Sequence, residues 1–358
     1  MSNLSTVFNT LRWARPQAPE PLDRAFVAAA EAPTEILQAL GQMELLVTGD
    51  RPRLTRLPSS AATAVYRAEL AWGTVCVKRA LCAPGSRGDV GATRARSAYE
   101  TRWLRHAREV VADSSPEVIA EHPVAGVFVM EYLDPQRYPA WTRVLEGERV
   151  EPWIAAEIGH LLGRLHAASA NSATVQQRFP SAATFRALCI EPRMRDALAA
   201  HADCAAALTE LFDGLERTRL ALVHGAFTPD NVLVGPRGPV VVDADCATYA
   251  DPIFDFAQML AELAMWMLWR PRMRAAYAAC FDTFFRTYLP HVTWEMPSEA
   301  EARAARLVPA LLLGAIHGPG ANRRVIDAAG ERVARQTART LVDRKSKSQN
   351  STHSSVEG

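Results

Sequence analysis

The stretch LVHGAFTPDNVLV, Leu222 to Val234, decides how this chain is read. An apolar run, Ala221–Val223, stops at His224-Gly225. A second apolar run starts just after Asn231, which lies seven positions beyond His224. A Gly-Pro-containing turn, Gly235–Gly238, then leads to a third run that ends at Asp243-Ala244-Asp245. Short apolar runs separated by glycine and proline read as strands joined by turns. The loops between them present an amide, Asn231, and a carboxylate, Asp243, toward one point. Both are hard oxygen donors, and a hard ion such as Mg²⁺ prefers one or two of these together with substrate phosphates.

Working outward, the downstream segment YADPIFDFA, Tyr249–Ala257, opens an apolar run from Ile253 to Trp269. That run carries Asp255, Gln258 and Glu262, which would be costly in lipid, so a buried amphipathic helix is expected rather than a membrane span. Upstream, ATAVYRAEL and TVCVKRAL flank a turn at Trp72-Gly73 and read as a hairpin. A loop with Gly85, Gly88 and Gly91 follows. Next comes the helical stretch RARSAYETRWLRHAREVV, with Tyr99, Trp103 and Leu104 on one face, and then the strand AGVFVMEYL. The first lobe thus reads strand, strand, helix, strand. Beyond Pro135 the pattern is mostly helical, at Pro152–Ala168, Ala183–Leu198, Ala205–Thr218, Met273–Tyr288 and from Glu299 to about His317.

HGAFTPDN, the apolar strand ending in Asp243, and ADPIFDFA together resemble the aminoglycoside phosphotransferase family. This kinase-like group also includes choline and methylthioribose kinases, and its usual pattern is HGDxxxxN, a strand ending in D or DxE, then GDPxxDxA. His224, Gly225, Asn231, Asp243, Asp251, Pro252, Asp255 and Ala257 match it in order. The resemblance implies an α+β, bilobal protein-kinase-like fold, with a small β-rich N-lobe and a larger, mostly helical C-lobe. It also implies ATP and Mg²⁺ as cofactors and a small-molecule acceptor bearing a hydroxyl group. On this pattern Asn231 and Asp243 hold the metal, Asp245 stands where relatives carry a second acidic ligand, and Asp255 supports the catalytic loop. Lys78 would contact the nucleotide phosphates and be held by Glu100. Ser59 and Ser60 fall where a phosphate-covering loop lies, and Met130–Leu133, with Glu131 and Tyr132, resembles an adenine-pairing hinge. In the helix EPWIAAEIGHLLGRLHAAS, His166 is expected to be a buried, hydrogen-bonded histidine rather than a catalyst.

One position departs from the pattern. The catalytic aspartate of HGD is Ala226 here. A methyl group neither orients the acceptor hydroxyl nor takes its proton, and general-base assistance contributes about 10²–10⁴ in rate, roughly 3–5 kcal/mol of barrier. Three explanations stand: an introduced or incidental change in an ordinary kinase, a natural pseudokinase that binds nucleotide as a regulatory or scaffold protein, or rescue by a neighbour such as Asp230. His224, beside the gap, belongs to the same catalytic loop. The acceptor is not encoded legibly. Glu262, Glu295, Glu299 and Glu301 read as surface charges, Trp266 and Trp269 as core, and the Gly-rich basic loop Gly314–Arg324 has no assigned mechanism.

Composition fits this reading. The chain has 358 residues, too many for one small module, and its 49% hydrophobic content suffices for two cores. Forty basic against 39 acidic residues leave a net charge of +1, which gives no footprint for nucleic acid. Six cysteines show no CxxC or metal-ligand spacing, which excludes a zinc or disulfide framework and fits a reducing compartment. The first residues lack the apolar core of a secretory signal, so a cytoplasmic protein is expected. The expected organisation is a helical extension over 1–49, a nucleotide-binding N-lobe over 50–133, a catalytic and substrate C-lobe over 134–343, and a disordered polar tail over 344–358.

Overall fold

The structure is a computed structural model and describes residues 34–47, 49–59, 63–81, 90–180, 185–317 and 336–337. Most of the expected extension, Ser60, Cys82, Gly85, Gly88, most of the Gly314–Arg324 loop and the polar tail lie outside these residues. In chain order the elements begin with α1 (Thr34–Gln42), β1 (Arg53–Leu57), β2 (Thr63–Leu70), β3 (Gly73–Ala80), α2 (Val90–Val110), β4 (Val118–His122) and β5 (Val127–Glu131). They continue with α3 (Trp141–Glu146), α4 (Pro152–Ser169), α5 (Ala173–Arg178), α6 (Glu191–Ala200), α7 (Ala205–Arg217), β6 (Ala221–Val223), β7 (Val232–Gly235), β8 (Gly238–Val241) and β9 (Thr248–Ala250). Three helices complete the described chain: α8 (Ile253–Trp269), α9 (Arg274–Tyr288) and α10 (Pro297–His317). The chain divides into two compact units. Of the described residues, one holds those within 34–141 and 231–247; the other holds those within 142–230 and from 248 onward.

In the first unit, five antiparallel strands lie in the order β1-β2-β3-β5-β4. The expected hairpin is β2–β3, closed by pairing of Leu70 with Gly73. Side chains alternate along a strand. Val75 and Val77 of β3 therefore share one face, where they join Tyr66, Val127, Val129 and, from α1, Ile36, Ala39 and Leu40 in a single core. Cys76 and Lys78 take the opposite face. Burial of all four residues from Val75 to Lys78 is what a central strand covered on both sides requires. Burying Ile36 and Leu40 contributes about 3–6 kcal/mol before chain entropy is charged, which ties the end of the N-terminal extension to this sheet. Strands β1 and β4, unforeseen in the sequence, are the two sheet edges, and the hairpin β7–β8 belongs to this unit as a separate two-stranded sheet.

The second unit is built on helices. Every residue of α8 from Ile253 to Leu268 is buried except Glu262, so this helix is enclosed all round rather than amphipathic. It packs against α9 and α10, and α4 packs against α9. Gly159 and Gly163 let α4 approach α9 and the turn that follows it, Leu289–His291. A Cβ at Gly159 would sit 2.8 Å from the Phe284 carbonyl oxygen, and one at Gly163 would sit 2.6 Å from the His291 ring. The stretch expected to be one helix from Ala183 is, over its described part, a π-helical turn at Arg186–Ile190 that runs into α6. Among the described residues no helix is long and apolar enough to cross a membrane. Among the described residues, Cys76, Cys189, Cys204, Cys246 and Cys280 are buried and form no disulfide.

Candidate active site

Lys78 sits at the centre of an ion cluster within the first unit. Strand β3 turns it away from the Val75–Val77 face and toward α2, where its Nζ donates to Glu100 Oε1 at 2.6 Å and also to Asp243 Oδ1. The residue is 4% exposed. Burial alone would lower its pKa, but Glu100, Asp243 and Asp245 outweigh that and hold the ammonium above its ordinary value. Burial likewise pushes Glu100 up to about 7, with Lys78 opposing. Lys78 is therefore a fixed, charged donor, already oriented by two carboxylates before any ligand arrives.

The hairpin β7–β8 brings Asn231 and Asp243 together. Val232 pairs with Val241, and the Val242 amide donates to the Asn231 carbonyl at 3.0 Å, so both residues stand at the open end of the hairpin. Asp243 has φ of +65°, a left-handed conformation in which aspartate is among the better tolerated residues, and such strain concentrates at functional sites. Its side chain is 42% exposed beside the buried Lys78. Asp245, two residues on, is instead drawn to Arg96 of α2, with Nη2 to Oδ2 at 3.3 Å. On α2 the buried face includes Arg96, Glu100, Trp103, Leu104 and Ala107, an i, i+4, i+7 stripe whose two charged residues are followed by three core residues.

The second unit supplies the loop at His224–Asp230. Asp255 of α8, fully buried, accepts the backbone amides of His224 at 2.6 Å and Gly225 at 2.9 Å. His166 Nε2 lies 3.4 Å from the same carboxylate, and its Nδ1 lies 2.9 Å from the Tyr288 hydroxyl. Burial, reinforced by Asp255 and Asp251, holds the Tyr288 pKa well above its ordinary value, so its hydroxyl keeps its proton, and a carboxylate, which only accepts, faces His166 Nε2. His166 is thus a buried support, as expected from the sequence. Gly225 has φ of +81°, which a side chain would strain. His224 is buried, and its Nδ1 accepts the Ala226 amide at 3.2 Å, so its ring shapes the loop. Just before α8, the Asp251 carboxylate accepts the Ile253 amide at 3.1 Å and pairs with Arg303.

Other expected residues take different positions. Asp230 is exposed, and its Oδ1 accepts the Thr142 hydroxyl at 2.9 Å. Ser59 donates to the Thr63 carbonyl at 2.8 Å and so closes the loop between β1 and β2; Ser60 lies outside the described residues. Glu131 ends β5 with its amide donated to the Glu117 carbonyl at 2.9 Å, and Tyr132 lies under the Arg67 guanidinium, 5.4 Å away. Glu299 is exposed. Glu262, read as a surface charge, is half-buried, and its pKa is pushed up to about 7 by burial, with Arg193 lowering it and Asp230 raising it. Glu295 is also half-buried, paired with Arg303. Trp266 is core, as expected.

Among solved structures, the chain is similar to the amicoumacin kinase hAmiN in complex with AMP-PNP, Ca²⁺ and Ami, at 16% identity over 86% of this chain and 93% of that one, with a TM-score of 0.52. It is likewise similar to a choline kinase from Cryptosporidium parvum Iowa II, at 13% identity over 89% and 97%, with a TM-score of 0.51. The fold is therefore kinase-like, an α+β arrangement of a sheet-bearing unit and a mostly helical one. The chain belongs to the phosphotransferase enzyme family, whose model matches residues 53–301, a span that holds Lys78, Glu100, His224, Asn231, Asp243 and Asp255. No protein of curated function matches it by sequence.

Proposed function

We propose that this protein is an ATP- and Mg²⁺-dependent phosphotransferase directed at the hydroxyl of a small molecule, and that Ala226 impairs its acceptor half while leaving its nucleotide half whole. The observation that carries the reading is Lys78, buried and held between Glu100 and Asp243. A charge fixed in this way suits the α and β phosphates of a nucleotide, because phosphoryl transfer depends chiefly on positioning and charge neutralisation. Asn231 and Asp243 are hard oxygen donors at one hairpin end, a set that fits Mg²⁺ when phosphate oxygens complete the coordination. When bound, that ion would neutralise charge developing on the phosphates. Lys78 binds and orients, Glu100 keeps Lys78 in place, and Asp255 holds the 224–226 backbone in shape.

In the transfer itself, the acceptor oxygen bonds to the γ-phosphorus as the bond to the leaving phosphate oxygen breaks, and the hydroxyl proton must be taken up. Ala226 offers no carboxylate for that proton. The same gap favours a second reading, a regulator that binds nucleotide without turnover. Restoring the carboxylate separates the two. Ala226→Asp is expected to raise ATP turnover with a panel of amino-alcohols and sugars by about 10²-fold or more. Turnover that stays at background, with Asp243→Ala as the inactive control, would leave the regulator as the better reading.

A further inference from the structure

Resting on the phosphotransferase reading, we propose that Arg96 is a built-in cation at Asp245, so that the site takes one divalent ion, at Asn231 and Asp243, and not two. Arg96 and Glu100 stand one turn apart on α2 and enter the same ion cluster with opposite charge. Glu100 meets Lys78, Lys78 meets Asp243, and Arg96 meets Asp245 at 3.3 Å. The two carboxylates of Asp243-Ala244-Asp245 differ in access. Asp243 is 42% exposed beside Asn231, whereas Asp245 is 17% exposed against a guanidinium that is itself only 8% exposed.

A divalent ion placed on Asp245 would face that guanidinium across a single carboxylate, in surroundings where like charges are poorly screened. Arginine does not deprotonate to make room, and a buried guanidinium deprived of its partner is strongly unfavourable. Two cations, Lys78 and Arg96, then face three carboxylates, of which Asp243 is the most exposed and so the one that would take the metal.

The test counts bound Mn²⁺ by electron paramagnetic resonance on the full chain saturated with AMP-PNP. One Mn²⁺ per chain is expected for the wild type and two for Arg96→Gln. Two ions in the wild type, or one in an Arg96→Gln variant that still binds AMP-PNP, overturns the proposal. If Arg96→Gln does not fold, the double variant Arg96→Gln/Asp245→Asn, which leaves no charge unpaired, decides. It is expected to keep one Mn²⁺ at near wild-type affinity. A loss of the ion, or a weakening of about tenfold or more, would make Asp245 a ligand and overturn the proposal. A chain that binds no AMP-PNP removes the phosphotransferase reading and the proposal together, whereas two Mn²⁺ with AMP-PNP bound removes the proposal alone.

Discussion

Replacing Asp255 by Asn should loosen the 224–226 loop and destabilise the helical unit measurably. The carboxylate accepts two backbone amides, from His224 and Gly225, and faces His166 Nε2, all within a fully buried environment. An Asn side chain offers one oxygen and turns an N–H pair toward what are donors. One charge-assisted bond, worth about 1.5–3 kcal/mol, falls to the value of a neutral one, and one buried amide loses its acceptor at about 1–3 kcal/mol. Removing a buried charge returns part of this, since an ionised carboxylate is itself unfavourable away from water. The expected net loss is about 2–4 kcal/mol, a large share of the 5–15 kcal/mol typical of a folded domain. Urea unfolding of wild type and variant measures it, with an unchanged slope showing that the surface exposed on unfolding is the same. Hydrogen exchange at the His224 and Gly225 amides should accelerate in parallel. A loss below about 0.5 kcal/mol, the scale of an ordinary surface substitution, with both amides still protected, would refute the anchoring role.

Two further substitutions test packing and charge. Gly163→Ala should destabilise by about 1–3 kcal/mol in urea unfolding, because its Cβ would meet the His291 ring at 2.6–2.7 Å, whereas Gly214→Ala, with nothing within 4 Å inside α7, should stabilise by about 0.5–1 kcal/mol. Equal signs for the pair would contradict the close approach of α4 to His291. Glu262 is protonated more readily in the fold, near 7, than at its ordinary 4.5, so its ionisation opposes folding as pH rises through that window. Wild type should therefore lose stability relative to Glu262→Gln between pH 5 and 7.5 by up to about 1.4 kcal/mol per unit, and parallel pH profiles would disprove the burial of this carboxyl.

Much of the site could be read from the sequence because its residues fall in short, ordered segments. Periodicity places Lys78 on a strand, Glu100 on the next helix, and Asn231 and Asp243 around a Gly-Pro turn; the family resemblance is what singles these residues out, and the structure brings Lys78 to Glu100 and Asp243 through β3, α2 and β7–β8. His166 was legible for a different reason, since a histidine on an otherwise apolar helix face needs buried partners, and Tyr288 and Asp255 provide them. The pairing of Arg96 with Asp245 joins residues far apart in the chain and leaves no local trace beyond the four-residue spacing of Arg96 and Glu100. Arg96 is buried although α2 carries its arginines within an otherwise polar helical stretch. Strands β1 and β4 escaped notice because sheet edges bury few side chains, as the mixed burial of RLTRL and VIAEH shows. Glu262 was misread because α8 is enclosed on every side, a property of its neighbours rather than of its own residues.

The most direct measurement is thermal unfolding of the full chain with AMP-PNP, with and without Mg²⁺. A nucleotide site built on Lys78, Asn231 and Asp243 predicts stabilisation of about 2.7 kcal/mol at a hundred times the dissociation constant. That stabilisation should weaken when Mg²⁺ is withheld, lose its Mg²⁺ dependence in Asp243→Ala, and be unaffected by Ala226→Asp. An unchanged transition at millimolar AMP-PNP and Mg²⁺ would contradict it.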